Sequence, residues 1–264
     1  MPVRSHFASV APMGQLDGLN VLLTGGASGI GLATANLFVN EGASVHILDL
    51  PGEKLDAAAR VVGSTGGSVS ACDVTVREQV DAAVAVATAG GRPLDVVIAN
   101  AGISSPAAPF TEYPLDGFER VLKVHVVGAF HTIQAALPHV PDGGSLIITS
   151  SVAGLVGTPQ VAAYGTAKHA QIGLMRSLAA DYAPRGIRVN TINPGPVDNE
   201  FQTSFEERIT GADGADANAI FDTMIPLGRH IPMDDIAHGM LYLAGPHSRN
   251  VTSTIFRIDG GMGG

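Results

Sequence analysis

The chain has 264 residues, enough for one large α/β domain with a sizeable core. Its 15 Lys and Arg against 24 Asp and Glu give a formal charge of −9 at pH 7, which leaves no basic stripe for a phosphate backbone and excludes nucleic acid as a partner. Charged residues are only 15%, against about 25% in ordinary soluble domains, so further copies of the chain are expected to cover part of the surface. The lone cysteine, Cys72, rules out an internal disulfide and a cysteine-rich zinc site.

The start, MPVRSHFASVAPMGQLDG, carries one Arg and no long apolar stretch, so it does not read as a secretory signal. No run of about 18 apolar residues occurs, so the expectation is a cytoplasmic protein with no membrane partner. Residues 1–17 read as a loose tail, and 18–264 as one domain. The first strand is expected at 19–24 (LNVLLT), and Thr24-Gly25-Gly26-Ala27-Ser28-Gly29-Ile30-Gly31 opens from it into a helix at 30–41. Glycines there allow a tight turn and let the backbone approach a pyrophosphate at the helix N-terminus.

The second strand, 44–49, ends on Asp49, 18 residues after Gly31. A carboxylate at that point accepts hydrogen bonds from the ribose hydroxyls of NAD and repels a 2′-phosphate. Ala27, Leu50 and Pro51 offer no cation to receive that phosphate, so NAD is preferred over NADP. A helix at 53–62, a strand at 67–73, a helix at 76–89, a strand at 95–100 and a helix at 115–137 follow. After the fifth strand, 145–150, come Ser150-Ser151 and a helix at 163–183 that opens with Tyr164-Gly165-Thr166-Ala167-Lys168. Tyr and Lys at i and i+4 share a helix face. An ammonium beside a phenol favours the phenolate and so suits the phenol to proton transfer near neutral pH.

A strand at 187–193, an acidic, Gly-rich interruption at 200–230, a helix at 233–244 and a last strand at 253–259 complete the pattern. The interruption reads as a substrate lid or a pair of short helices, with Glu206-Glu207 on a solvated face. Met224, Met233 and Met240 read as packing, and the nine histidines show no metal-ligand spacing, so no metal is expected. Mostly continuous apolar strands alternating with helices imply a doubly wound sheet of about seven mostly parallel strands, helices on both faces.

Together these motifs resemble the short-chain dehydrogenase/reductase family, from about residue 17 to the end. Thr24-Gly25-x-x-x-Gly29-x-Gly31 resembles its cofactor loop, with Ser28 and Ile30 inside it, and Asn100-Ala101-Gly102 its fourth-strand signature. Ser151, 13 residues before Tyr164, matches the spacing of its serine, and Asn193-Pro194-Gly195-Pro196-Val197 its nicotinamide segment. The resemblance implies a Rossmann-type fold and a homotetramer or dimer. It also implies Tyr164 as acid–base, Ser151 orienting the substrate oxygen, and Lys168 tuning Tyr164 and holding the nicotinamide ribose. Asp73 and the Val74 backbone would meet adenine, Asn100, Ala101 and Gly102 the adenosine ribose side, Leu50 the cofactor beside Asp49, and Pro194, Gly195 and Val197 the nicotinamide.

Two positions depart from the family pattern. His125 stands where the family has an Asn that bends its helix and holds a water linking the lysine to solvent. An imidazole can hold that water or carry a proton, fill the gap, or impair the relay. Asn199 stands where a Thr is frequent, and its amide can still bond the carboxamide or a phosphate.

The expected reaction is hydride transfer between NAD(H) and a secondary alcohol or ketone, medium-sized and weakly polar, such as a cyclic alcohol or hydroxysteroid. The substrate pocket is expected from Ser104 to Pro109, Val152 to Leu155, Gln160, Pro196, Phe201 and Phe205. Reduction of a 3-oxoacyl thioester, and a cofactor-binding regulator with an impaired relay at His125, are the alternatives. Asp49 and the acidic lid count against the thioester.

Overall fold

A computed structural model describes residues 14–263. Seven strands form one sheet: β1 Asn20–Thr24, β2 Ser44–Asp49, β3 Ser68–Ala71, β4 Val96–Ala99, β5 Ser145–Thr149, β6 Arg188–Pro194 and β7 Ile255–Ile258. Their spatial order is β3-β2-β1-β4-β5-β6-β7, and every pairing is parallel. The order reverses between β1 and β4, where Leu23 pairs Ile47 on one side and Ile98 on the other. A crevice opens at that reversal beyond the carboxyl ends of the strands.

Strand side chains feed two cores. Val21, Leu23, Val45 and Ile47 pack under α1 (Gly29–Asn40), α2 (Glu53–Val62) and α9 (Met233–Ala244). Leu22, Leu48, Val97 and Leu146 pack under α3 (Arg77–Ala87), α5 (Gly128–Ala136) and α6 (Ala162–Tyr182). Covering both faces explains why the strands read as unbroken apolar runs. The helices earn their places by stripes: Gly31, Thr34, Ala35 and Phe38 fall at i, i+3, i+4 and i+7 and are the buried face of α1.

The differences from expectation lie at ends and kinks. β3 stops at Ala71, because the Asp73 amide turns to the Gln79 side chain (2.7 Å) and leaves the ladder. The helix expected at 115–137 is three pieces: α4 (Leu115–Leu122), a π-helical turn (Lys123–Val127) and α5. Residues 200–230 hold two short helices, α7 (Glu200–Thr210) and α8 (Gly214–Asp222). Of the expected tail, residues 1–13 lie outside the described residues, and Gly14–Asp17 belong to the fold. Leu16 is fully buried, its amide donates to Glu41 O (3.0 Å), and the Gln15 amide donates to Glu41 Oε2 (2.7 Å).

Phe38→Ala removes a fully buried ring between α1 and the sheet and is expected to cost about 3–5 kcal/mol. Urea unfolding should show a lower midpoint at an unchanged slope.

Candidate active site

From Thr24 the chain turns through Gly25 and Gly29, whose φ of 66° and 53° lie in the left-handed region that a Cβ penalises. At Gly31 space is the constraint, since a Cβ would sit 2.0 Å from Gly25 O. The N-cap of α1, Ser28, makes no side-chain capping bond, and the first turn holds no acidic residue. Those amides therefore suit an anion. Asp49 braces the loop, its Oδ2 accepting from the Ala27 amide (2.9 Å) and its Oδ1 from the Leu50 amide (2.8 Å). A carboxylate has about four acceptor positions, so capacity remains for two ribose hydroxyls.

A side-chain staple fixes the crevice. Thr24 Oγ1 accepts from the amides of Asn100 (3.0 Å) and Ala101 (3.1 Å). Asn100 Nδ2 donates to Thr24 O (3.2 Å) and Gly25 O (3.0 Å), and Thr149 Oγ1 donates to Asn100 Oδ1 (3.0 Å). Asn100 thus uses its amide to tie the ends of β1, β4 and β5 together.

Two adjoining cavities share Gly25 and Gly102. The larger, about 680 Å³, is lined by Asp49, Leu50, Asp73, Val74 and Ala101 among others. The smaller, about 160 Å³, is lined by Ser28, Ile30, Gly31, Asn100, His125, Ser151, Tyr164, Lys168, Pro194, Gly195, Val197 and Asn199. Gly29 lines neither, and its part is the turn. The loop, the uncapped helix end, the Asp49 carboxylate and two chambers in line fit an extended dinucleotide.

The polar cluster is built by α6 against the end of β5. Tyr164 and Lys168 stack one turn apart, with Lys168 Nζ 5.3 Å from the Tyr164 ring centre and donating to Thr149 O (2.8 Å). The Ser151 hydroxyl accepts from the Ala153 amide (3.2 Å) and donates to Pro194 O (3.5 Å). Ser150 is turned elsewhere, its hydroxyl donating to Lys168 O (2.9 Å). Burial pushes the Tyr164 phenol up to about 12, against the lowering effect of Ser151, and pushes Lys168 down to about 7. The expected lowering of the phenol by its lysine does not set the direction; burial does, for both groups.

His125 sits at the middle of the π turn, 1% exposed, its ring edge-on to Tyr164 at 5.6 Å. Its Nε2 lies 2.8 Å from Ile103 O and 3.0 Å from Ile103 N, so it donates to the carbonyl when protonated there and otherwise accepts from the amide. Its Nδ1 is buried without a partner. Burial, helped by the nearby Lys168 charge, lowers its pKa to about 3, so the ring is neutral. The ring occupies space that Gly102 leaves, where a Cβ would lie 2.5 Å from it. The His125 carbonyl, released from the helix ladder by the π turn, accepts from Gln171 Nε2 (2.9 Å).

Asn199 caps α7, its Oδ1 accepting from the Gln202 amide (2.8 Å). Of the expected substrate residues, Ser104 to Pro106 line the larger cavity and Phe201 the smaller. Phe205 lies on the Tyr164 ring at 5.3 Å. Gln160 holds a positive φ of 67° and accepts from the Ala108 amide (3.0 Å), tying two pocket loops together.

The solvated face expected for Glu206-Glu207 is corrected by the structure. Glu206 is fully buried, in hydrogen bonds to Gln202 and His230, and Glu207 accepts from the Gly214 amide (2.9 Å). Gln171, whose signal is a polar residue at i+7 from Tyr164 on one helix face, is absent from the sequence expectations, as are Arg120, Lys123 and Arg208, which line the larger cavity and share no motif.

A family model described as enoyl-(acyl carrier protein) reductase matches residues 25–263. The 2,5-dichloro-2,5-cyclohexadiene-1,4-diol dehydrogenase of Sphingobium indicum is 35% identical over 255 residues, 95% of this chain and 99% of that protein. The structure of carveol dehydrogenase from Mycobacterium avium in complex with NAD superposes with a TM-score of 0.88 at 27% identity, covering 94% of this chain and 99% of that one. That of a blue fluorescent protein from a metagenomic library in complex with NADPH does so with a TM-score of 0.83 at 32% identity, covering 94% and 99%.

A neutral, buried His125 has a consequence for stability. Its folded pKa of about 3 lies below the ordinary 6.5, so the unfolded chain takes the proton first. The stability that depends on the neutral ring is present above pH 6.5 and is lost as pH falls toward 3. His125→Asn, which cannot titrate, is expected to shift acid unfolding to lower pH, measured by circular dichroism.

Proposed function

The chain belongs to the short-chain dehydrogenase/reductase family, and on that premise we propose that it moves a hydride reversibly between NAD(H) and a medium-sized, weakly polar secondary alcohol or ketone. Its relatives make it an oxidoreductase acting on alcohols with a nicotinamide cofactor. The observation that carries the finer reading is the cluster of buried Ser151 and Lys168 with half-buried Tyr164, lining a cavity that adjoins the one Asp49 lines.

The cofactor, when bound, supplies or takes up the hydride. The protein's own groups handle the substrate oxygen. In oxidation the phenolate form of Tyr164 accepts the alcohol proton at its oxygen, and in reduction the phenol donates it. The Ser151 hydroxyl holds the substrate oxygen beside that phenol. A charged Lys168 favours the phenolate by Coulomb attraction. His125 serves the relay by holding its water at Nδ1, which has no partner among the described residues, while Nε2 stays on the Ile103 backbone. Pro194, Gly195 and Val197 would border a bound nicotinamide with Asn199 beside them, and Asp73 and Val74 would hold the adenine end.

Asp49 supports NAD over NADP, because its carboxylate would meet a 2′-phosphate with like charge. The ring alcohol in the name of the Sphingobium relative supports a cyclic substrate. Phe110, Leu115 and Phe130, 83%, 70% and 46% exposed in the single chain, support a homo-oligomer that covers them. A second reading, reduction of a 3-oxoacyl thioester, gains from Arg120, Lys123 and Arg208 on the larger cavity and from the loss of Glu206 as a surface charge.

NADH formation across a panel of cyclic and acyclic secondary alcohols, with NADPH and NADH oxidation by a 3-oxoacyl thioester as a separate arm, decides between them. Tyr164→Phe should lower kcat about 10²- to 10⁴-fold with NADH affinity within threefold; retained turnover removes Tyr164 from the mechanism. Asp49→Ala should weaken NAD about tenfold and narrow its preference over NADP. With the Tyr164 phenol at about 12, oxidation needs a proton already lost and should speed up as pH rises above neutrality. Ketone reduction uses the protonated phenol and should show no such rise in a pH–rate profile.

A further inference from the structure

The lid carries a buried polar network that the reaction above does not use. Glu206, on α7, is fully buried. Its Oε1 accepts from Gln202 Nε2 (2.8 Å) one turn earlier and lies 2.8 Å from His230 Nε2. His230 Nδ1 lies 2.7 Å from Asp222 Oδ1 at the end of α8. With its amide nitrogen toward the carboxylate, Asn218 of α8 donates to Glu206 Oε2 (2.9 Å) and to Gly214 O (3.3 Å). One imidazole therefore joins a carboxylate from each lid helix, and both lid helices are tied to the strand-like segment around Ile231, which bridges Val197 on the lining of the smaller cavity.

The network reaches the reacting groups by two short paths. Gln202, held by Glu206, lines the same cavity as Ser151, Tyr164 and Lys168. Phe205, adjacent to Glu206, packs on the Tyr164 ring at 5.3 Å and is itself buried. A carboxylate removed from water is costly unless its partners are fixed, so α7 is held in one position relative to His230.

We propose that Glu206 and His230 are positioning residues: their buried pair, anchored by Asp222, locks α7 so that Phe205 seats against Tyr164 and Gln202 frames the substrate. This rests on Tyr164 being the acid–base group. The titratable groups facing the His230 ring are Glu206 from α7 and Asp222 from α8, and the other members, Gln202 and Asn218, are neutral. Burial works against charge on His230, but its bonds to Asp222 and Glu206 outweigh that and raise its pKa, and burial raises Glu206. The pair is charged on both sides only between the raised Glu206 value and the raised His230 value, so the lock loosens as pH rises through the folded His230 value and loses its carboxylate as pH falls through that of Glu206.

The test pairs hydrogen exchange with kinetics in the full-length protein, comparing wild type with His230→Asn and with Glu206→Gln, which keeps the side chain's shape. His230→Asn should speed amide exchange across 200–222 about tenfold and raise the alcohol KM about tenfold with kcat within threefold. Wild-type exchange there, corrected for intrinsic base catalysis, should rise as pH passes through the His230 titration, and the variant should show no step. Exchange and KM both within twofold of wild type would overturn the proposal, as would faster exchange with KM unchanged. If His230→Asn does not fold, the same readings on Glu206→Gln decide. If no alcohol is turned over, the dehydrogenase reading fails, and NADH-bound exchange across 200–222 still decides whether the lock exists.

Discussion

The hydrogen bonds that join Asn100 to Thr24 and Thr149 set the geometry on which everything else rests. Three parallel strands end at one level, and their last carbonyls and amides would otherwise face a crevice unpaired. Asn100 satisfies β1 carbonyls with its amide nitrogen and a β5 hydroxyl with its oxygen, while its own amide and that of Ala101 go to Thr24. A buried polar group is stable only when its partners are in place. The staple therefore fixes the separation of the glycine loop, the Ala101–Ile103 segment and the end of β5. The larger chamber opens beside one side of it and the smaller chamber beside the other.

Beyond the staple, dehydration dominates the chemistry. Tyr164 is raised, and Lys168 and His125 are lowered, with burial the first cause in each case. Burial thus resists charge on all three, so the charged Lys168 that favours the phenolate is the form its surroundings disfavour. The π turn contributes to that burial. It swings His125 into the space beside Gly102 and frees a carbonyl that Gln171 caps from the helix bearing Tyr164 and Lys168. One helix face thus carries the acid–base pair and the brace for the neighbouring helix.

Much of the fold was legible because its signals are local. Each strand read as a short β-branched run and the glycine loop as a tight turn, and the seven strands and five of the six expected helices fall within a few residues of expectation. The misses are non-local. The helix over 115–137 shows one continuous periodicity, and only packing of His125 against Ile103 and Gly102 shows why it widens at Lys123–Val127. Glu206 looks like any exposed acid in an acidic stretch, and only the approach of His230, 24 residues later, makes burying it tolerable. Leu16 looked like part of a tail because its partner, Glu41, lies at the far end of α1.

By itself the sequence determined the order of strands and helices, the glycine loop with its acidic partner, and the spacing of Ser151, Tyr164 and Lys168. Backbone conformation and side-chain spacing along one helix or turn are set by neighbours in the chain. The tertiary structure alone decided which groups lose water, and with that the protonation of Tyr164, Lys168 and His125, the burial of Glu206, and the cations on the larger cavity. Desolvation depends on atoms brought in from distant segments, and no pattern along the chain encodes how closely they pack.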